Sequence, residues 1–190
     1  MAKTESRMMP LGTRAPNFAL PDTDGGTVRL ADFEGYPAFV VAFICNHCPF
    51  VKHIAGELAR FGQEAVDRGA GMVAINANDT DNYPDDSPER MAEEKARLGY
   101  PFPYLFDGDQ SVAKAYGAVC TPDFFVFDSD LCLVYRGRFD ASSPGNDEPV
   151  TGADLGQAVD QVLQAQPVTV VQRPSLGCNI KWCPGNEPAD

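Results

Sequence analysis

The feature that most constrains this chain is an uninterrupted apolar segment that runs directly into two closely spaced cysteines. Residues 38–44 read Ala-Phe-Val-Val-Ala-Phe-Ile, and a Cys-Asn-His-Cys motif follows at positions 45–48. A run of this length without a polar residue is typical of a central strand covered on both faces. After the motif, Pro49 suits the first turn of a helix, and apolar residues recur at roughly helical spacing at Ile54, Leu58, Phe61 and Val66. The two cysteines are therefore predicted to lie where a buried strand ends and a helix begins.

The rest of the chain alternates between strand and helix signals. Apolar residues around a Gly-rich turn predict a hairpin within residues 15–35. The following segments continue the pattern: a strand at 72–76, helices at 88–98 and 109–116, a strand hairpin at 124–127 and 131–135, and a helix at 153–165. We predict an α/β fold with one domain at 15–165, a leader at 1–14, and a tail at 166–190 laid over the surface.

Composition narrows the function classes. The 190 residues carry a net charge of -12, with 44% hydrophobic and 22% charged residues, so a globular fold is expected and binding to nucleic acid or an anionic membrane is not. The first ten residues contain no apolar signal segment or anchor, which predicts a cytoplasmic location. The acidic stretch at 79–89 lacks the spacing of a calcium loop and is interpreted as a solvated connection.

The cysteine pair predicts thiol chemistry. A helix N-terminus offers unpaired N–H groups and partial positive charge, and both favour a thiolate over a thiol. We therefore expect Cys45 to be the nucleophile and Cys48 to resolve a mixed disulfide formed on it. His47, when protonated, would further stabilise the Cys45 thiolate.

Two other interpretations of these residues stay open. The motif can bind zinc or copper through Cys45, Cys48 and His47, with His53 nearby and a second ligand pair drawn from Cys178 and Cys183. It can also be a coincidental pair of buried cysteines. The strand and helix around the motif favour redox chemistry over both alternatives, and no cofactor or bound metal is predicted.

Three segments resemble the thioredoxin-like superfamily, in particular its AhpC/TSA (redoxin) branch. They are Ala-Pro-Asn-Phe at 15–18, the strand that runs into positions 45–49, and Cys-Thr-Pro-Asp-Phe-Phe at 120–125. The resemblance implies a thioredoxin-like fold with a central mixed sheet flanked by helices, and a cis-proline at Pro122 that faces the sulfurs. Thr121 and Cys120 would then line the site, with Cys120 either a third redox thiol or a small buried apolar residue.

The resemblance also separates two activities. Peroxiredoxins place a Thr three residues before the reactive cysteine and an Arg near the cis-proline, whereas this chain has Ala42 and no Arg at 120–125. Thiol–disulfide exchange is therefore favoured, with a protein thiol or disulfide as partner, such as a thioredoxin-type reductant. A peroxidase with Cys45 as the peroxidatic cysteine stays open as an alternative, because Arg136 or Arg138 could supply the arginine.

The tail contains Gly-Cys-Asn-Ile-Lys-Trp at 177–182, a sequence that resembles the tails of other redoxin-family proteins. One interpretation is a flexible relay, in which Cys178 or Cys183 enters the site and attacks its disulfide. The other is that Ile180 and Trp182 anchor the tail by burying apolar surface. Both remain open, as does the oligomeric state.

Overall fold

A computed structural model describes residues 3–188 of the chain. The strands of this part, numbered along the chain, are β1 (Lys3–Glu5), β2 (Ala19–Pro21), β3 (Thr27–Arg29), β4 (Ala38–Phe43), β5 (Gly71–Asn76), β6 (Tyr104–Phe106), β7 (Cys120–Thr121), β8 (Asp123–Asp128), β9 (Leu133–Gly137) and β10 (Leu176–Asn179). The helices are α1 (Pro49–Asp67), α2 (Pro88–Leu98), α3 (Ser111–Tyr116) and α4 (Ala153–Leu163). Among these described residues, no helix has both the length and the apolar character that crossing a membrane requires.

A five-stranded mixed sheet in the order β6-β5-β4-β8-β9 forms the centre. The strand β4 pairs in parallel with β5 and antiparallel with β8, which places it in the middle. All six of its residues are buried. Because strand side chains alternate between faces, Val40 and Ala42 pack with α1 and α4 on one side, while Phe39, Val41 and Phe43 pack with α3 on the other.

Most of the predicted elements are confirmed. The apolar run forms β4, the helix after the cysteines forms α1, and the predicted hairpins form as β2-β3 and β8-β9. The 88–98 helix has the predicted bounds as α2. The short strand β6 was not predicted; it pairs in parallel with β5 and extends the sheet on that side.

The tail contains a strand that was not predicted. Its residues Leu176–Asn179 form β10, the middle strand of a second sheet in the order β1-β10-β7. The backbone of this strand is therefore bonded on both sides, so its stability does not depend on an alternating side-chain pattern. Gly177 permits the close approach to β7, since a Cβ there would lie 1.9 Å from the Thr121 carbonyl oxygen. The same sheet also incorporates β1, which lies in the predicted leader.

The end of the tail is anchored as well. Ile180 is buried, and its N–H donates to the Val119 carbonyl at 2.9 Å. The Lys181 N–H donates to Asn78 Oδ1 at 2.8 Å, and the partly buried Trp182 packs against the core on the α3 side of the sheet. The anchoring role proposed for Ile180 and Trp182 agrees with these contacts.

Candidate functional site

The cysteine pair lies at the predicted junction. Ile44 follows β4 and donates its N–H to the Ile75 carbonyl at 3.0 Å, which holds the end of the strand in the sheet. Cys45 comes next, and Cys48 is the residue before the first turn of α1, where Pro49 needs no N–H partner. Cys45 is 1% exposed and Cys48 is fully buried, so both sulfurs lie beneath the surface.

Thr121 contacts both sulfurs, and the peptide bond between Thr121 and Pro122 is cis, as the resemblance implies. The Thr121 hydroxyl lies 3.4 Å from Cys45 Sγ. The Cys48 thiol donates to the Thr121 carbonyl at 3.2 Å. One residue thus provides a hydroxyl for one sulfur and an acceptor for the other.

The two sulfurs share a hydrogen bond that makes their titration unequal. The pKa of Cys48 is lowered to about 5, because the Cys45 thiol donates to its thiolate and the Cys178 thiol and the Val51 N–H add to this against the effect of burial. The pKa of Cys45 is raised well above its usual value by the hydrogen bond with Cys48, by burial and by the charge of Asp86. The Thr121 hydroxyl acts in the opposite direction and lowers it.

This distribution of charge differs from the sequence-based expectation that the helix N-terminus would favour a thiolate on Cys45. Cys48 occupies the N-cap position, and the Val51 N–H in the first turn of α1 acts on its sulfur. Within the pair the lower pKa therefore belongs to Cys48 and the higher one to Cys45.

Asp86 is the site residue that the sequence analysis missed. Its side chain is fully buried and accepts the Asn46 N–H at 2.8 Å and an amide hydrogen of Asn78 at 2.8 Å. Burial raises its pKa, but hydrogen bonds from His47 and Asn78 and the charge of His47 outweigh that effect, so the pKa is lowered overall. The carboxylate comes from the acidic stretch that was interpreted as a solvated connection, so that interpretation is wrong for Asp86.

His47 is bound to this carboxylate. Its Nδ1 lies 2.5 Å from Asp86 Oδ2, and its ring stacks on Tyr83 with the ring centroids 5.4 Å apart. The negative charge of Asp86 therefore offsets the positive charge that a protonated His47 would place beside Cys45. His47 and Asp86 thus form one hydrogen-bonded pair beside the cysteines.

Donor atoms of Cys45, His47 and Asp86 lie within 4.8 Å of one another, close enough to hold one metal ion. This set differs from the predicted ligands because Asp86 takes the place of Cys48. His53 instead lines a cavity beside Pro122. Of the predicted second ligand pair, Cys178 lies at the Cys48 sulfur, whereas Cys183 lies near Asp79 and Asp81.

The other cysteines have different surroundings. Cys120 is buried, and its burial raises its pKa far above the usual value, which agrees with a small apolar role. Cys178 lies on β10 and hydrogen-bonds with the Cys48 sulfur. The Cys183 N–H donates to Gln110 Oε1 at 2.9 Å. Burial and the charges of Asp79 and Asp81 raise the pKa of the Cys183 thiol. The tail thus brings Cys178 to the pair as a fixed part of a sheet and not as a flexible arm.

The two arginines that kept a peroxidase open are bound to other groups. Arg136 Nη1 lies 3.4 Å from Gln172 Oε1, and Arg138 Nε donates to Asp154 Oδ2 at 2.6 Å. Ala42, at the position of the peroxiredoxin Thr, is fully buried in β4. The polar groups contacting Cys45 come from Thr121 and Cys48.

A cavity of about 150 Å³ lies beside the cis-proline. Its wall combines apolar side chains with polar ones, including Phe50, His53, Ile54, Pro122, Ser142 and Ser175. Just behind it, Asp123 is fully buried, and burial raises its pKa to about 8. The cavity is of a size to receive one side chain beside the cis-proline.

Comparisons with known proteins identify the family and the fold. A model of the AhpC/TSA family matches residues 11–136. A solved structure of an uncharacterized conserved protein from Geobacillus kaustophilus has 53% sequence identity and a TM-score of 0.95, covering 97% of this chain and 98% of that one. More distant solved structures, with 21% and 22% identity, TM-scores of 0.61 and coverage of 83% and 82% of this chain, share the thioredoxin-like fold, which confirms that prediction.

Two relatives have named activities. The Mycobacterium tuberculosis protein "Putative peroxiredoxin Rv2521" is 33% identical over 118 residues, which is 62% of this chain and 69% of that protein. The thiol-disulfide oxidoreductase ResA of Geobacillus thermodenitrificans is 30% identical over 129 residues, 67% of this chain and 68% of that protein. Both names describe redox chemistry of cysteines.

Proposed function

Because this chain belongs to the AhpC/TSA family, we propose that it is a thiol–disulfide oxidoreductase whose Cys45 and Cys48 cycle between dithiol and disulfide. The observation that carries the proposal is the hydrogen bond between the two sulfurs, at a junction where Thr121 contacts both. Redox activity in the relatives named ResA and peroxiredoxin supports it.

The resting thiolate on Cys48 becomes a nucleophile on Cys45 by a proton shift along their hydrogen bond. When the proton moves from Cys45 to Cys48, the new Cys48 thiol donates to the Thr121 carbonyl. The new Cys45 thiolate accepts from the Thr121 hydroxyl. Both charge positions are therefore hydrogen-bonded, and the shift needs no movement of the backbone.

The exchange then proceeds in two steps. The Cys45 thiolate attacks one sulfur of a partner disulfide, forms a mixed disulfide, and releases the other partner sulfur as a thiolate. Cys48 next attacks Cys45 Sγ, which forms the Cys45–Cys48 disulfide and releases the second partner thiolate; the Cys48 proton goes to a leaving thiolate. The partner gains two electrons and the enzyme loses two.

We further propose that the partner is a protein and that one of its side chains enters the cavity beside Pro122. The wall of that cavity combines apolar side chains with the charged Arg138 and Asp140, so it offers both apolar and charged contacts to an entering side chain. Return to the dithiol form would use a thioredoxin-type protein reductant in the cytoplasm. The net charge of -12 disfavours nucleic acid and anionic membranes as partners.

The test is reduction of insulin disulfides by the full chain with dithiothreitol as the electron source. Cys45→Ser should abolish the enzyme-dependent rate, and Cys48→Ser should leave a mixed disulfide on Cys45 that is trapped and mapped by mass spectrometry. Cys132→Ser is the matched control, because this partly exposed thiol lies after β8, at the distant turn of the β8-β9 hairpin. Wild-type activity in Cys45→Ser would overturn the proposal.

A peroxidase is the second candidate, favoured by the name of the mycobacterial relative. Its prediction is rapid formation of a sulfenic acid on Cys45 with stoichiometric peroxide, trapped with dimedone. Slow oxidation spread over several cysteines would remove this candidate.

Zinc or copper binding is a third candidate, favoured by the cluster of Cys45, His47 and Asp86. It predicts one metal ion per chain in protein purified without chelator, lost in Asp86→Ala. Metal-free protein that takes up no added zinc after reduction would remove it.

A further inference from the structure

The tail strand β10 places a third thiol at the dithiol. Cys178 lies directly opposite Thr121 in the antiparallel pairing of β10 with β7. The Thr121 carbonyl in turn accepts the Cys48 thiol at 3.2 Å. Cys178 is 3% exposed and belongs to the same buried cluster as Cys45 and Cys48. The three thiols therefore share one water-poor environment.

Cys48 is the middle member of the three. Its sulfur hydrogen-bonds with the Cys45 thiol and also with the Cys178 thiol. In thiol–disulfide exchange, a thiolate must reach one sulfur of an existing disulfide, and the sulfur it displaces leaves as a thiolate. Cys178 is therefore positioned to attack a disulfide at Cys48, whichever sulfur Cys48 is bonded to.

The position of Cys178 is imposed by the fold. On one side β10 pairs with β7, and on the other side it pairs with β1, where Cys178 faces Lys3. Gly177 allows the close contact with the Thr121 carbonyl. Cys120 differs from Cys178, because it pairs with Asn179 and its side chain belongs to the opposite face of the strands. The sheet thus selects one tail thiol for the site.

We propose that Cys178 is the third redox-active thiol of this centre and exchanges with Cys45 for Cys48. The inference rests on the proposed dithiol function and extends it. Burial and the hydrogen bond with Cys48 raise the pKa of Cys178 to about 12, so it starts as a thiol and gives up its proton as its sulfur attacks Cys48 Sγ of the Cys45–Cys48 disulfide. The bond to Cys45 breaks, and a Cys48–Cys178 disulfide forms. Cys45 leaves with the electron pair and takes up the proton that Cys178 lost. No net oxidation occurs, so no further oxidant is needed.

The exchange has a consequence for turnover. After one partner disulfide has been reduced, the transfer returns Cys45 to its thiol form while the disulfide is held between Cys48 and Cys178. Cys45 is then available again before the external reductant arrives. The reductant's target is the Cys48–Cys178 bond, which ties β10 to the start of α1.

The experiment oxidises the full chain with diamide, which accepts two hydrogens from a pair of thiols, followed by acid quenching and disulfide mapping by mass spectrometry. Wild-type protein should show both Cys45–Cys48 and Cys48–Cys178, in a ratio that does not change with diamide concentration. Cys45→Ser should form Cys48–Cys178 alone. Cys183→Ser, the matched tail control, should leave the wild-type ratio unchanged.

Two results would overturn the inference. One is folded Cys45→Ser protein, verified by near-ultraviolet circular dichroism, that forms no Cys48–Cys178 disulfide. The other, which does not depend on any variant folding, is wild-type protein in which Cys45–Cys48 is the single disulfide of Cys48 at every diamide concentration. The insulin assay keeps the two proposals apart. If Cys45→Ser protein no longer reduces insulin, the proposed function stands even when either of these results overturns the role of Cys178. If Cys45→Ser protein still reduces insulin, the proposed function is overturned whatever the disulfide mapping shows.

Discussion

Replacing Thr121 by Val tests how the reactive thiolate on Cys45 is stabilised. The substitution removes the hydroxyl 3.4 Å from Cys45 Sγ but keeps the side-chain shape and the carbonyl that accepts the Cys48 thiol. Thr121 is 2% exposed, so water does not replace the lost donor. A hydrogen bond to a charged group is worth roughly 1.5–3 kcal/mol, and this corresponds to a rate loss of about 10-fold to 150-fold.

The assay is the initial rate of insulin reduction at neutral pH. The control is Thr121→Ser, which retains the hydroxyl. Its rate should stay within about threefold of the wild-type rate, which corresponds to a loss of less than about 0.7 kcal/mol. A cooperative unfolding transition in denaturant verifies that each variant, including its cis-proline segment, is folded. Thr121→Val protein that reduces insulin at the wild-type rate would show that the Thr121 hydroxyl does not stabilise the reacting state.

Three further variants test other parts of the site. Asp86→Asn removes a negative charge that raises the pKa of Cys45, so the pH profile of Cys45 alkylation should move to lower pH. Gly177→Ala forces a Cβ within 1.9 Å of the Thr121 carbonyl and should lower the free energy of unfolding in urea by more than about 1 kcal/mol. Asp123 holds its proton up to a pKa of about 8, whereas the unfolded carboxyl loses it near pH 4, so stability should fall as pH rises between these values. Asp123→Asn should flatten that dependence in urea titrations.

Matched controls separate these effects from general damage. Asp85→Asn removes an exposed charge next to Asp86 and should leave the alkylation profile in place. Gly156→Ala introduces a Cβ on α4 with no atom within 4 Å and should not destabilise the protein. Asp130→Asn, at an exposed turn, should keep the pH dependence of stability. A variant that matches its control would contradict the corresponding assignment.

The core of the site was predictable because its signals are local. An unbroken apolar run predicts a buried strand, and Pro49 with the spaced apolar residues after it predicts α1, so the position of the cysteines followed directly. The prediction that Thr121 and a cis Pro122 lie at the sulfurs came from the resemblance, because few X-Pro bonds adopt the cis form and propensity alone does not identify them.

What the sequence did not reveal depends on contacts between distant segments. Asp86 lies 39 residues from His47 within an acidic stretch, and only the fold shows that it is buried and hydrogen-bonded. The strand β10 contains Gly and polar residues, and its pairing on both edges replaces the alternating pattern by which strands are recognised. The lowered pKa of Cys48 likewise follows from three-dimensional neighbours, above all Cys45 and Cys178.

In the proposed function, Cys45 and Cys48 form a reversible two-electron centre. To test this, Cys178→Ser protein is equilibrated in dithiothreitol buffers of graded ratio and quenched with acid, the free thiols are alkylated, and the disulfides are mapped by mass spectrometry. A centre of this kind should give one transition, with two electrons per chain, in which the Cys45–Cys48 disulfide appears and disappears reversibly. Cys45 and Cys48 that stay alkylated as free thiols across the whole range would contradict it.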